Sequence, residues 1–300
     1  MRPIALTATA LALTLAGCSG DGGCEDHPIC AALRNSGAYG GYVRTSLNDA
    51  RTEAVVETNS LPDYQPGPYG ANPNTAQAQQ FTFRIPLAPS PGPAAAGVGH
   101  VAVAWNGVSL FNPADARNIG GCTGNAAFLE SNHVDRFGGH PTARGEYHYH
   151  SGEFLKHAEE LGLRNSAAEH SSLVGFSFDG LPIYGPFAFS DPNDAASAIQ
   201  ELRSCYRLKS ARTCCQDTGL CSLTSTFDQK TLVMGAFVED FEHDATALAE
   251  GRCDLDEFNS RVAVTPEYGP PTRLYVMTFD ANGNVAFPFI FGTRYWGQLL

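Results

Sequence analysis

Apolar and polar positions alternate along much of this chain with a period of two, the period of a strand that turns one face to a core. Phe81-Thr82-Phe83-Arg84-Ile85 shows it over five residues, and Tyr42-Val43-Arg44 and Ala54-Val55-Val56 are shorter candidates. Two longer segments align with each other without gaps, Val103 to Pro113 and Phe176 to Pro186. Each sets Asn106-Gly107 or Asp179-Gly180 between strand-forming runs, which predicts a β-hairpin closed by a type I′ turn. A third hairpin is predicted from Leu274 to Phe291, turning at Asn282-Gly283. The helical period is rarer. Ser151–Gly162 carries Phe154, Leu155, Ala158 and Leu161 on one side, Asn193–Ser204 opens with capping residues, and Asp244–Gly251 is a weaker third case. Leu61 to Asn74 is dense in turn formers and reads as a loop. The predicted fold is mainly β, with antiparallel sheets built from hairpins, sandwich-like, and with a few short inserted helices and disulfided loops.

The N-terminus breaks this pattern. Arg2 precedes an apolar run that ends in Leu15-Ala16-Gly17-Cys18. A basic start, a short apolar segment and small residues before a cleavage point mark a secretory signal, and the run is too short to span a bilayer. Leu-Ala-Gly-Cys resembles a bacterial lipobox. The expectation is a lipoprotein signal peptide over 1–17, lipid on Cys18, a lipidated tether over 18–37 and one domain over 38–300. Ser19 after the Cys points to the outer membrane, so the expected place is the cell envelope, with the membrane as partner through the N-terminal lipid. Cysteine usage agrees: besides Cys18 there are eight, Cys24, Cys30, Cys122, Cys205, Cys214, Cys215, Cys221 and Cys253. An even number in an exported chain implies up to four disulfides. A Cys24–Cys30 loop is expected, as are different partners for Cys214 and Cys215. The net charge of −12 disfavours nucleic acid and anionic head groups as charge-driven partners.

The candidate chemistry lies in Gly145-Glu146-Tyr147-His148-Tyr149-His150. On a strand, Glu146, His148 and His150 share one face, and Tyr147 and Tyr149 pack on the other. Two imidazoles two residues apart can reach one metal ion. Gly138-Gly139 permits a sharp bend, and a turn at Pro141 to Gly145 folds His140 back beside them. A three-His set with an open position suits zinc, and imidazole suits copper as well. The expected ligands are therefore His140, His148 and His150, with Glu146 or Asp179 as a further ligand or an orienting group, and copper or zinc as the cofactor. Two competing readings use other chemistry. One is a metal-free surface module for a carbohydrate or peptide, with these residues structural; the other is a metal-free hydrolase with His148 as base.

These motifs together resemble the YHYH-domain family of secreted and lipid-anchored bacterial proteins. The likeness runs from about residue 52 to 292 through Asn59-Ser60-Leu61-Pro62-Asp63, Trp105-Asn106-Gly107-Val108, Gly138-Gly139-His140, Tyr147 to His150, Gly175 to Pro186, Gly235 to Asp240, Asp254 to Glu257 and Thr265 to Tyr268. The resemblance supplies no reaction. It does imply that Phe137 and Phe258, which stand where the family tends to carry Cys, are partners in space.

Overall fold

A computed structural model describes Cys24, residues 27–214, 226–227 and 230–300. Cys18, the 1–17 segment, Cys215 and Cys221 lie outside the described residues. The frame is an eight-stranded sheet in the order Ser260–Ala263, Thr272–Val276, Pro182–Tyr184, Leu173–Ser177, His100–Ala104, Ser109–Phe111, Tyr147–Tyr149, Gly139–Pro141. A three-stranded antiparallel sheet, Val43–Leu47, Glu53–Thr58 and Phe81–Pro86, covers one face of it.

Alternation sorts the core. Val103, Phe176, Tyr184, Leu274 and Val276 meet Ala54, Val56 and Ile85 of the smaller sheet in one buried layer. Their neighbours Ala102, Ala104, Ile183 and Tyr275 turn to the opposite face, with Val174 at a register irregularity of its strand, and pack with Tyr147, Tyr149, Trp105 and the C-terminal Phe287, Phe289, Phe291 and Tyr295. A sheet apolar on both faces is covered on both, so the architecture is mainly β with layered sheets, as the alternation predicts.

Most strand pairs are antiparallel, but Pro182–Tyr184 runs parallel to Thr272–Val276, and Ser109–Phe111 parallel to Tyr147–Tyr149. Both parallel pairs join strands far apart in sequence, as parallel pairing requires. The two repeated segments are hairpins, although not with type I′ turns. Gly107 N–H donates to Ala104 O (2.9 Å) and Ala104 N–H to Val108 O (2.9 Å), and Gly107 has φ +83°. Gly180 repeats this with Ser177 and Leu181 at φ +90°. The glycine alone takes the left-handed conformation, the arrangement of a three-residue loop with a bulge. The third hairpin is shortened: its turn at Asn282-Gly283 is held by Asp280, whose carboxylate accepts from the N–H groups of Asn282 and Asn284, but only a Phe279–Val285 bridge follows it.

Two of the three predicted helices form, as Gly152–Phe154 continued by Leu155–Glu160, and as Ala245–Ala249 with Asp244 capping. Asn193–Ser204 does not. The Asp191 and Asp194 carboxylates accept from Asn193 and Ala196 N–H (both 2.8 Å), local bonds that compete with a helix, and Ile199–Glu201 pairs as a strand with Phe187–Phe189. Disulfides join Cys24 to Cys30, Cys122 to Cys214 and Cys205 to Cys253. Among the described residues no helix is long and apolar enough to cross a membrane. Phe137 and Phe258 border the same core but make no ring contact with each other. Phe137 packs on Tyr64 (4.6 Å) and His157 (4.9 Å), and Phe258 lies under Arg294.

Candidate metal centre

The Tyr147–Tyr149 strand is buried on both sides, and its two faces have different chemistry. On the tyrosine side, donors and acceptors form a closed chain. Asn106 Nδ2 donates to the Tyr149 hydroxyl (3.3 Å), Tyr149 and Tyr64 hydroxyls meet at 3.1 Å, Tyr64 and Tyr147 at 2.5 Å, and Tyr147 donates to Asp135 Oδ2 (2.7 Å). Burial pushes all three phenols well above their usual range, so they stay protonated and serve as donors. Asp135 also accepts from Gly67, Phe137 and Gly139 N–H groups. Gly139 has a steric reason to be glycine: a Cβ there would collide with the Tyr147 hydroxyl.

The other face gathers the imidazoles. The Gly139–Pro141 strand pairs with Tyr147–Tyr149 so that His140 stands directly opposite His148, with rings 4.5 Å apart. The predicted turn closes this hairpin, with Thr142 N–H donating to Glu146 O (2.9 Å) and Gly145 N–H to Thr142 O (2.9 Å), and the left-handed Gly138 (φ +76°) bends the chain just before it. His150 follows at the strand end, and Phe111 from the adjoining strand stacks on His148 at 3.9 Å. His140, His148, His150 and Glu130 each place one ligand atom within 4.8 Å of the others. All four line a cleft of about 440 Å³.

Hydrogen bonds fix which imidazole nitrogens are bare. His148 Nδ1 faces Glu146 O (3.1 Å) and His150 Nδ1 faces Asn112 O (3.0 Å). A carbonyl only accepts, so both Nδ1 atoms carry the proton, and in the neutral rings both Nε2 atoms present lone pairs. Those two Nε2 atoms lie 3.0 Å apart. Glu130 Oε2 stands 3.0 Å from His150 Nε2 and 3.2 Å from His140 Nε2, yet it has no aligned hydrogen bond. Its other oxygen is held by Arg117 (3.0 Å), which also pairs with Asp115. Facing lone pairs beside a buried carboxylate oxygen are unfavourable unless a proton or a metal cation sits among them.

The proton affinities follow. Burial alone would raise the Glu130 carboxyl, but the His140 and His150 imidazoles hold it far below the usual carboxylate range. Burial lowers His150, but Glu130 outweighs it and raises the imidazole above its ordinary value. Burial, and then the neighbouring His150 and His140, keep His148 well below its ordinary value.

The three predicted imidazoles are therefore brought together, but the two predicted acids are not with them. The Glu146 carboxylate lies 2.9 Å from His100 Nε2; it is its backbone carbonyl that orients His148. Asp179 is a buried turn residue bound to Ser177, Tyr275 (2.7 Å) and Gly297 N–H (2.9 Å), and burial raises its carboxyl above the usual value. The acid in the cluster is Glu130, just past the Ala126–Leu129 helix, and it lies outside the strand alternation. Its one sequence signal is that it is the sole carboxylate between Asp115 and Asp135.

A family model described as YHYH protein matches residues 82–287, a span that contains all four cluster residues and leaves Asn59–Asp63 outside it. Comparison with curated proteins and with solved structures returned no match. The chain belongs to the YHYH family.

Proposed function

We propose that this YHYH-family chain is a lipid-anchored protein of the cell envelope, tethered through Cys18 at the outer membrane, that binds one divalent transition metal. The carrying observation is the pair of Nε2 atoms 3.0 Å apart, each on a ring whose Nδ1 faces a carbonyl, beside Glu130 Oε2. His148 and His150 are the nitrogen ligands and Glu130 the oxygen ligand. Backbone carbonyls of Glu146 and Asn112 lock the two imidazoles in the ligating tautomer, and Arg117 steadies the carboxylate.

His140 has a different role from the one its sequence position predicts. Asn72 accepts at Oδ1 from Asn74 N–H (2.9 Å), so its amide nitrogen faces Pro141 O (3.0 Å) and His140 Nδ1 (3.1 Å). An amide nitrogen donates, so the His140 proton is on Nε2, toward Glu130. His140 faces Glu130 with an N–H (3.2 Å) rather than offering a lone pair. Copper or zinc fits two imidazoles and a carboxylate; copper would supply one-electron chemistry and zinc a Lewis acid. Three disulfides among the described residues support an oxidising compartment.

Calorimetric titration of metal-stripped, untagged protein over roughly pH 5 to 8 tests the reading. One ion should bind per chain and, below the raised His150 value, displace a proton, because Glu130 favours the protonated imidazole. Affinity should rise by about tenfold per pH unit up to the raised His150 value and level off above it. His148, already neutral, adds no competing proton. Absence of binding, or an affinity indifferent to pH, would count against the proposal.

A further inference from the structure

The ligating residues do not form a closed structural site; they line one wall of the cleft. A structural zinc site is sealed by its protein ligands, whereas a site facing a cleft leaves a position for an exchangeable group. The charges around it set the sign of that group. Glu130 and Asp115 each carry one negative charge and Arg117, bridging them, one positive, so a divalent ion leaves a single positive charge in a partly buried place. A monoanion would neutralise it.

The rest of the cleft sets the size and character of the ligand. At about 440 Å³ it is far larger than a hydroxide needs and falls within the range of sites for small organic molecules. Much of the lining is apolar, with Pro73, Val98, Phe111, Ala114, Pro141 and Ala143. Val98 is 60% exposed between two glycines, an apolar side chain presented to solvent at the cleft. The lip that carries it is tied to the centre by Asn112, whose side-chain amide donates to Ala96 O (2.8 Å) and Gly97 O (3.1 Å) and whose carbonyl holds His150.

Resting on the metal reading above, we propose that the centre binds a small monocarboxylate, with the carboxylate on the metal and an aliphatic or aromatic body against Val98 and Phe111. The probe is the visible spectrum of the cobalt(II)-loaded protein, titrated with acetate, butyrate, benzoate and n-butylammonium. Each carboxylate should change the spectrum saturably. Butyrate should bind about tenfold more tightly than acetate, from two further buried methylenes, and the cation should have no effect. Val98→Asn, which removes the apolar contact without adding charge, should weaken butyrate by about threefold or more while the affinity for cobalt stays unchanged. A spectrum that no carboxylate alters, acetate binding as tightly as butyrate, or butyrate binding indifferent to Val98→Asn would each overturn the inference. Failure to take up cobalt at all would overturn the metal reading, and this inference with it.

Discussion

His148→Ala and His150→Ala should each lower divalent-metal affinity by more than about 100-fold, and His140→Ala by only about 10- to 100-fold, the range for groups that orient a ligand. The order follows from the hydrogen bonds around each ring. His148 and His150 give their Nδ1 protons to carbonyls and turn Nε2 to the cluster, so on the proposed reading either alanine removes a donor to the metal. His140 accepts at Nδ1 from Asn72 and faces Glu130 with its protonated nitrogen, so its loss leaves the donors intact and one carboxylate less constrained. Competition against a chromophoric chelator measures all three. Equal losses would return His140 to the ligand set, and negligible losses at His148 and His150 would remove the site from this face.

Asp135→Ala should be the most destabilising single change on the tyrosine face, and it should leave metal stoichiometry alone. The carboxylate is buried and accepts from Tyr147 (2.7 Å), Phe137 N–H (3.0 Å), Gly67 N–H (3.1 Å) and Gly139 N–H (3.3 Å). Removing it strands four donors, and each buried orphan costs about 1–3 kcal/mol before water or rearrangement recovers part of it. A net loss on the order of 4 kcal/mol is expected, as for other broken buried charge networks. That corresponds to roughly 6 °C in Tm for a chain of this size by scanning calorimetry. Tyr147→Phe, which leaves the backbone donors satisfied, should cost about 1–2 kcal/mol. A loss below about 1 kcal/mol for Asp135→Ala would show that the network is not what holds the strand.

The Tyr-His-Tyr-His motif has tyrosines packed on one face and imidazoles gathered on the other, a division legible in the sequence because a strand sorts side chains with a period of two. The same period made the Phe81–Pro86 strand and the two repeated hairpins legible, and the turn formers from Pro141 to Gly145 announced the turn that brings His140 back. Glu130 carried no such sign, because it reaches the cluster from the end of a four-residue helix through tertiary packing alone. Asn112 acts through its backbone carbonyl, which no residue identity encodes. Glu146 was misplaced for a related reason: the strand begins at Tyr147, so the carboxylate is free to turn to His100 while its carbonyl stays with His148. The Asn193–Ser204 prediction counted capping residues as a helix start, but aspartates at positions 191 and 194 close local turns as readily when no apolar stripe follows.

Membership in the YHYH family covers the whole cluster without naming a reaction, so the account depends on whether a metal is there. The most direct measurement is metal content by mass spectrometry of the untagged protein and of a folded His148→Ala/His150→Ala double variant, both taken from the same export host. The account predicts close to one copper or zinc ion per chain in the wild type and essentially none in the variant. Substoichiometric metal in the wild type, unchanged in the variant, would contradict it and leave the imidazoles a structural role.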